Sequence, residues 1–89
     1  MKNVVITGSS RGIGYGLARE FLREGHRVTL SGRNKGTLKS AMESLKSETK
    51  SDLIDFTTGD VSVKEDIENL WANAAKHGTV DIWINNAGM

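Results

Sequence analysis

The sequence predicts an α/β fold, a doubly wound parallel sheet, on three observations. Short apolar runs rich in β-branched residues alternate with stretches of helical spacing, glycines close most of the runs, and no linker or low-complexity segment interrupts the alternation. The order reads β-α-β-α-β-α-β. Right-handed crossovers then make 3-2-1-4 the natural strand order.

Each element has its own signal. Asn3-Val4-Val5-Ile6 reads as the first strand, closed by Thr7-Gly8. Ile13, Leu17, Phe21 and Leu22 follow at helical spacing, and Gly25 is a stop signal. Arg27-Val28-Thr29-Leu30 reads as the second strand, closed by Ser31-Gly32, and the next helix carries Leu38, Ala41, Met42 and Leu45 on one face. The third strand runs from about Leu53 to Thr58 and ends at Gly59-Asp60. Ser62 and Glu65 have the spacing of a capping box, opening a helix with Ile67, Leu70, Trp71 and Ala74 on its apolar stripe, so Trp71 is expected in the core. That helix stops near Gly78, and Val80 to Ile84 forms the fourth strand. An edge strand this apolar is an aggregation hazard when left open, so the chain is expected to be cut short after Met89.

Bulk properties narrow the function classes. Eighty-nine residues make one small domain, with a stability ceiling of about 4–13 kcal/mol. Twelve Lys and Arg nearly balance eleven Asp and Glu, which argues against a polyanion-binding field and hence against nucleic acid as a partner. The absence of Cys excludes disulfides, thiolate metal sites and cysteine nucleophiles. Apolar runs are only a few residues long and strand-like sequence begins at Lys2, so no transmembrane span, signal peptide or transit peptide is expected.

The segment Thr7-Gly8-Ser9-Ser10-Arg11-Gly12-Ile13-Gly14 lies between the first strand and the first helix. Residues without Cβ let a phosphate approach the backbone, and the helix start points N–H groups and its positive dipole end at the same place. The expected ligand is a pyrophosphate. Position 17 is Leu, so the common Gly-x-Gly-x-x-Gly pattern is not met.

The spacing Thr-Gly-x-x-x-Gly-x-Gly and the closing Asn85-Asn86-Ala87-Gly88 together resemble the short-chain dehydrogenase/reductase family. The resemblance covers all 89 residues and corresponds to the amino-terminal part of a family member's NAD(P)-binding, Rossmann-type domain. It implies that Gly8, Gly12 and Gly14 lie along the pyrophosphate, with Ser10, Arg11 and Ile13 beside the cofactor. Asp60 and Val61 match the pair next to the adenine ring, and Asn85, Asn86, Ala87 and Gly88 match the motif that steadies the central strand and lines the adenosine side. Within the family, "VVITGSSRGIGYGLAREFL" and "DIWINNAG" are similar to the chlorophyll(ide) b reductase branch.

An NAD site wants a carboxylate after the second strand to accept from the ribose 2′-OH. No Asp or Glu occurs between Glu24 and Glu43; Ser31-Gly32-Arg33-Asn34-Lys35 places cations there instead, joined by Arg11. These suit the 2′-phosphate of NADP. A solvated turn is the alternative reading of Arg33 and Lys35.

The family's chemistry rests on a Tyr-x-x-x-Lys pair with Ser and Asn, the Tyr acting as general acid or base. The one tyrosine here is Tyr15, position 19 is Arg, and so no catalytic residue is assigned. Tyr15 is read as helix surface or packing, His26 and His77 as plain surface residues, and Lys39, Glu43, Lys46, Glu48 and Lys50 as a solvated helix face. Gly16 and Gly36 are weak points of their helices. The resemblance implies an NADP(H)-dependent oxidoreductase acting on a small carbonyl or alcohol substrate, homo-oligomeric at full length, and cytoplasmic or, in the chlorophyll branch, stromal. Two other readings stay open: a stand-alone NADP-binding module or sensor, and a nonfunctional remnant.

Overall fold

The computed structural model describes residues 1–86; Ala87, Gly88 and Met89, which include two of the motif positions named above, lie outside the described residues. The elements are β1 (Asn3–Thr7), α1 (Gly12–Arg23), β2 (Arg27–Gly32), α2 (Lys35–Thr49), β3 (Ile54–Thr58), α3 (Lys64–Ala75) and β4 (Ile82–Ile84). All pairings are parallel and the strand order is β3-β2-β1-β4, as expected for a Rossmann-type unit. Val5 sits level with Thr29 on one side and Trp83 on the other.

Strand side chains alternate between faces, and the two faces differ. Val4, Ile6, Val28, Leu30 and Ile54 face α1 and α2 and pack on Ala18, Leu22, Leu38, Ala41 and Leu45. Val5 faces the other way, against Leu70 and Ala74 of α3, with Val80 and Trp83 at the margin.

The stripe that α1 buries is Gly14, Ala18 and Leu22. Leu17 and Phe21 pack at its side, whereas Ile13 is 72 % exposed. Small residues four apart, Gly14 and Ala18, bring the helix axis close to β1 and β2, so the larger ones flank the contact rather than fill it. On α3, only Leu70 and Ala74 are buried. Trp71 is 50 % exposed, contrary to the core position its spacing suggests. Among the described residues α3 is the one helix on its face of the sheet, so no neighbouring helix covers the outer side of Trp71, which stacks on Trp83 at 5.8 Å between ring centroids.

The capping box does not form either. Val63 is the N-cap of α3 and no side chain caps it. Ser62 instead donates both its N–H (2.8 Å) and its hydroxyl (2.7 Å) to Asp60 Oδ1, and Asp66 Oδ2 accepts the Asp60 N–H at 2.8 Å. A carboxylate two residues upstream outcompetes Glu65 for Ser62, because it can take two bonds in a tight Asx turn.

β4 is shorter than the Val80–Ile84 expectation: Asp81 N–H donates to Asn3 O, while Asp81 Oδ2 accepts the Asn3 N–H at 2.8 Å. Asn3 Nδ2 in turn donates to the carbonyls of Ala74 and Gly78, closing the end of α3 onto the start of β1. The histidines have structural partners too. His26 Nδ1 accepts the Lys2 N–H at 2.9 Å, and His77 Nε2 lies 3.4 Å from Asp55.

Candidate functional site

Beyond the carboxyl ends of β1, β2 and β3 lies an open cleft of about 1200 Å³. Three loops meet there. Gly8, Ser10 and Arg11 come from the turn after β1, Ser31 to Asn34 from the end of β2, and Gly59 to Ser62 from the end of β3. Clefts at strand ends, where connections leave for opposite faces of the sheet, are the usual ligand position in doubly wound folds.

The glycine loop is held from behind. Ser9 is fully buried; its hydroxyl donates to Ile6 O at 2.8 Å and accepts the Ser31 N–H at 2.9 Å, which ties the loop to β2. Gly8 and Gly12 take positive φ of 62° and 64°, a conformation costly for residues with a Cβ. A Cβ on Gly14 would lie 2.6 Å from Gly8 O and 2.7 Å from Asn86 Nδ2, so this glycine is required by close approach. Asn86 makes that approach: its N–H donates to Thr7 Oγ1 at 2.9 Å and its Nδ2 to Gly8 O at 3.0 Å. At the mouth of the loop, α1 begins at an extended Arg11 with no side-chain cap and no acid in its first turn. Its leading N–H groups and positive dipole end therefore carry no neutralising partner from their own helix.

Of the residues expected in the site, Gly8, Ser10, Arg11, Arg33, Asn34, Asp60 and Val61 line the cleft. Gly12 and Gly14 sit at the base of α1, Asn86 stands behind the loop, and Ile13 points to solvent outside the cleft. Asn34 has a second duty as N-cap of α2, its Oδ1 accepting the Thr37 N–H at 3.0 Å. Arg33 is extended into the opening, its side chain 81 % exposed, with Nη1 4.0 Å from Asp60 Oδ2. The two bonds from Ser62, and then the Arg33 charge, hold the Asp60 carboxyl below the usual range.

Sequence reasoning missed one wall. Tyr15, Thr37, Ser40 and Ser44 also line the cleft, where α1 meets α2. The Tyr15 hydroxyl donates to Ser44 Oγ at 2.9 Å, the Arg19 guanidinium lies over the Tyr15 ring, and Arg19 Nε donates to Glu48 at 2.7 Å. The Arg19 hydrogen bond lowers the Glu48 pKa and raises that of Arg19. The spacing held a signal: Tyr15 and Arg19 are four apart, as are Ser40, Ser44 and Glu48. Among the described residues, no three His, Asp or Glu converge as metal ligands, and no helix is long and apolar enough to cross a membrane.

Sheet order, glycine turn and cleft position define the molecule as the β-α-β-α-β-α-β part of a Rossmann-type nucleotide-binding fold. More narrowly, the chain belongs to the short chain dehydrogenase family, whose description matches residues 2–89. It is 44 % identical over 87 residues to the chloroplastic chlorophyll(ide) b reductase NOL of Arabidopsis thaliana, covering 97 % of this chain and 25 % of that protein. The 3-oxoacyl-[acyl-carrier-protein] reductase FabG of Chlamydia muridarum is 39 % identical over 90 residues, covering 99 % of this chain and 36 % of the relative. In shape, the chain is similar to an actinorhodin polyketide ketoreductase with NADPH (TM-score 0.89, 34 % identity, 99 % of this chain and 34 % of that one). L-sorbose reductase from Gluconobacter frateurii, complexed with NADPH and L-sorbose, gives TM-score 0.89 at 32 % identity, with 99 % and 34 % of the two chains covered. The chain thus spans about a quarter of the chlorophyll(ide) b reductase it matches and a third of these solved chains. The branch resemblance read from the sequence agrees with the first of these relatives.

Proposed function

We propose that this chain is the NADP(H)-binding part of an oxidoreductase that interconverts a carbonyl and an alcohol. The observation that carries the reading is the end of β2, where Arg33 reaches into the cleft and the adjoining turn offers no carboxylate. A 2′-hydroxyl would find no carboxylate acceptor in that turn; a 2′-phosphate finds a guanidinium.

The remaining residues fit the same ligand. The uncapped start of α1, the backbone of Gly8 and Gly12, and Ser10 would hold the pyrophosphate. A Cβ on Gly12 would meet nothing within 4 Å, so its role is the backbone turn and the open space above it. Arg11 joins Arg33 at the 2′-phosphate, Asp60 and Val61 take the adenine end, and Asn86 fixes the loop from behind. Gly14 lets α1 close on that loop. Asn34 lines the cleft beside Arg33, and Ile13, Ala87 and Gly88 are assigned from the family motif alone. When bound, the nicotinamide gives or takes the hydride. These 89 residues bind and orient; they contain no Tyr-x-x-x-Lys pair, and the Tyr15 hydroxyl is engaged by Ser44. The chlorophyll(ide) b reductases among the relatives make chlorophyll(ide) b the first substrate to assay, with cytoplasm or plastid stroma as the site of action and a homo-oligomer as the working form.

The test is a titration of the full chain with NADPH and NADH, with and without Arg33→Ala. Loss of a charge-assisted contact of about 1.5–3 kcal/mol weakens NADPH binding by roughly one to two decades and leaves NADH nearly unchanged. Equal losses for the two dinucleotides would refute the reading.

A further inference from the structure

We infer that Asp60 competes with the ligand phosphate for Arg33, and that Ser62 positions Asp60 to do so; the inference rests on the NADP reading above. Among the described residues, Asp60 is the one carboxylate in ion-pair range of Arg33, at 4.0 Å from its Oδ2. Which oxygen faces Arg33 is not left to chance. Oδ1 is taken twice by Ser62, through N–H and hydroxyl, and this leaves Oδ2 for the guanidinium.

The residue cannot swing away easily. Its own N–H is held by Asp66 Oδ2 at 2.8 Å, and a Cβ on the preceding Gly59 would stand 3.0 Å from Asp66 Cβ, so the turn is packed onto that side chain. The bonds from Ser62 also favour the ionised form, so the competitor keeps its charge well into mild acid. A phosphate arriving at Arg33 must share the guanidinium with this carboxylate and sit beside a like charge. A ligand with a free 2′-hydroxyl pays neither penalty. Asp60 therefore moderates the preference that Arg33 and Arg11 create, and holds the site nearer to dual use than its cations alone imply.

The experiment reads the ratio Kd(NADH)/Kd(NADPH) in the full chain, so that any contact of Asp60 with adenine, common to both ligands, cancels. Asp60→Asn is expected to raise the ratio by about two- to fivefold, the scale of an exposed ion pair. In an Arg33→Ala background the same change should raise the ratio by clearly less, because only the like-charge repulsion is then relieved. Ser62→Ala should shift it in the direction of Asp60→Asn by less, and Ser62→Thr, which keeps the hydroxyl, should restore it. Circular dichroism on each variant confirms an intact fold. A ratio unmoved by Asp60→Asn, or raised equally with and without Arg33, overturns the inference while leaving the NADP reading in place. A wild-type chain with no preference, insensitive to Arg33→Ala, or with no binding of either dinucleotide, removes both.

Discussion

The two faces of the sheet are built from similar sequence patterns and reach different densities. Among the described residues, ten buried side chains under α1 and α2 form one continuous cluster from Val4 to Ile54. Under α3 the described residues give three, Val5, Leu70 and Ala74, flanked by half-covered Val80 and Trp83. Both helical stripes have the right period, but α1 and α2 together cover one face, whereas among the described residues α3 alone covers the other, packing on β3 and β1. A periodic stripe states which way a helix faces, and the elements packed beside it decide how much is buried.

The sharpest way to test this contrast is to truncate one leucine on each face. Leu38 is fully buried in the larger cluster and Leu70 is 2 % exposed in the smaller. Leu38→Ala should cost about 3–5 kcal/mol and Leu70→Ala about 2–3, at the lower end because the thin face can relax around the gap. Denaturant unfolding of both variants measures it, and equal losses would break the contrast.

A second test compares two glycines within α1. Gly14→Ala drives a methyl into Gly8 O and Asn86 and should destabilise by about 1–3 kcal/mol. Gly16→Ala, whose Cβ would meet nothing within 4 Å, should stabilise by about 0.5–1 kcal/mol. Melting temperatures moving in the same direction would mean that α1 does not press on the loop as described.

The smallest effect belongs to the exposed bridge between α1 and α2. Glu48 has a folded pKa below its ordinary 4.5, chiefly through the Arg19 hydrogen bond. A depressed carboxyl pKa stabilises the fold above the unfolded value, and the contribution disappears as pH falls through the folded value. Wild type should therefore melt slightly above Glu48→Gln near pH 6, and the gap should close as pH falls below the folded value, at low salt. A gap that persists in acid would assign the difference to packing.

Element order and strand order were legible because the strands are β-branched runs, most of them closed by a glycine, and right-handed crossovers leave few layouts for four such strands. The seven cleft-lining residues among those expected were legible for a related reason: loops after β1, β2 and β3 must converge once that order holds. What escaped were contests between neighbours. Ser62 had two carboxylates within reach and chose Asp60 over Glu65. Trp71 had the spacing of a core residue and, among the described residues, no neighbouring helix to cover its outer side. Glu48 looked solvated on its own helix, and its partner stands on another, 29 positions away. Period and motif record local preference; these outcomes depended on what the fold brought alongside.

The grip of Asn86 on Thr7 and Gly8 spans 78 to 79 positions of sequence. During synthesis, β1 emerges before the other three strands yet ends between β2 and β4, and its turn stays unlocked until residue 86 has left the ribosome. Such distant closure is slow, because the intervening chain must be ordered before the contact forms. The ligand loop is thus made before β2, β3 and β4 and finished after them, and a nascent chain waiting at that stage is one a chaperone would recognise by its unpaired β1 edge.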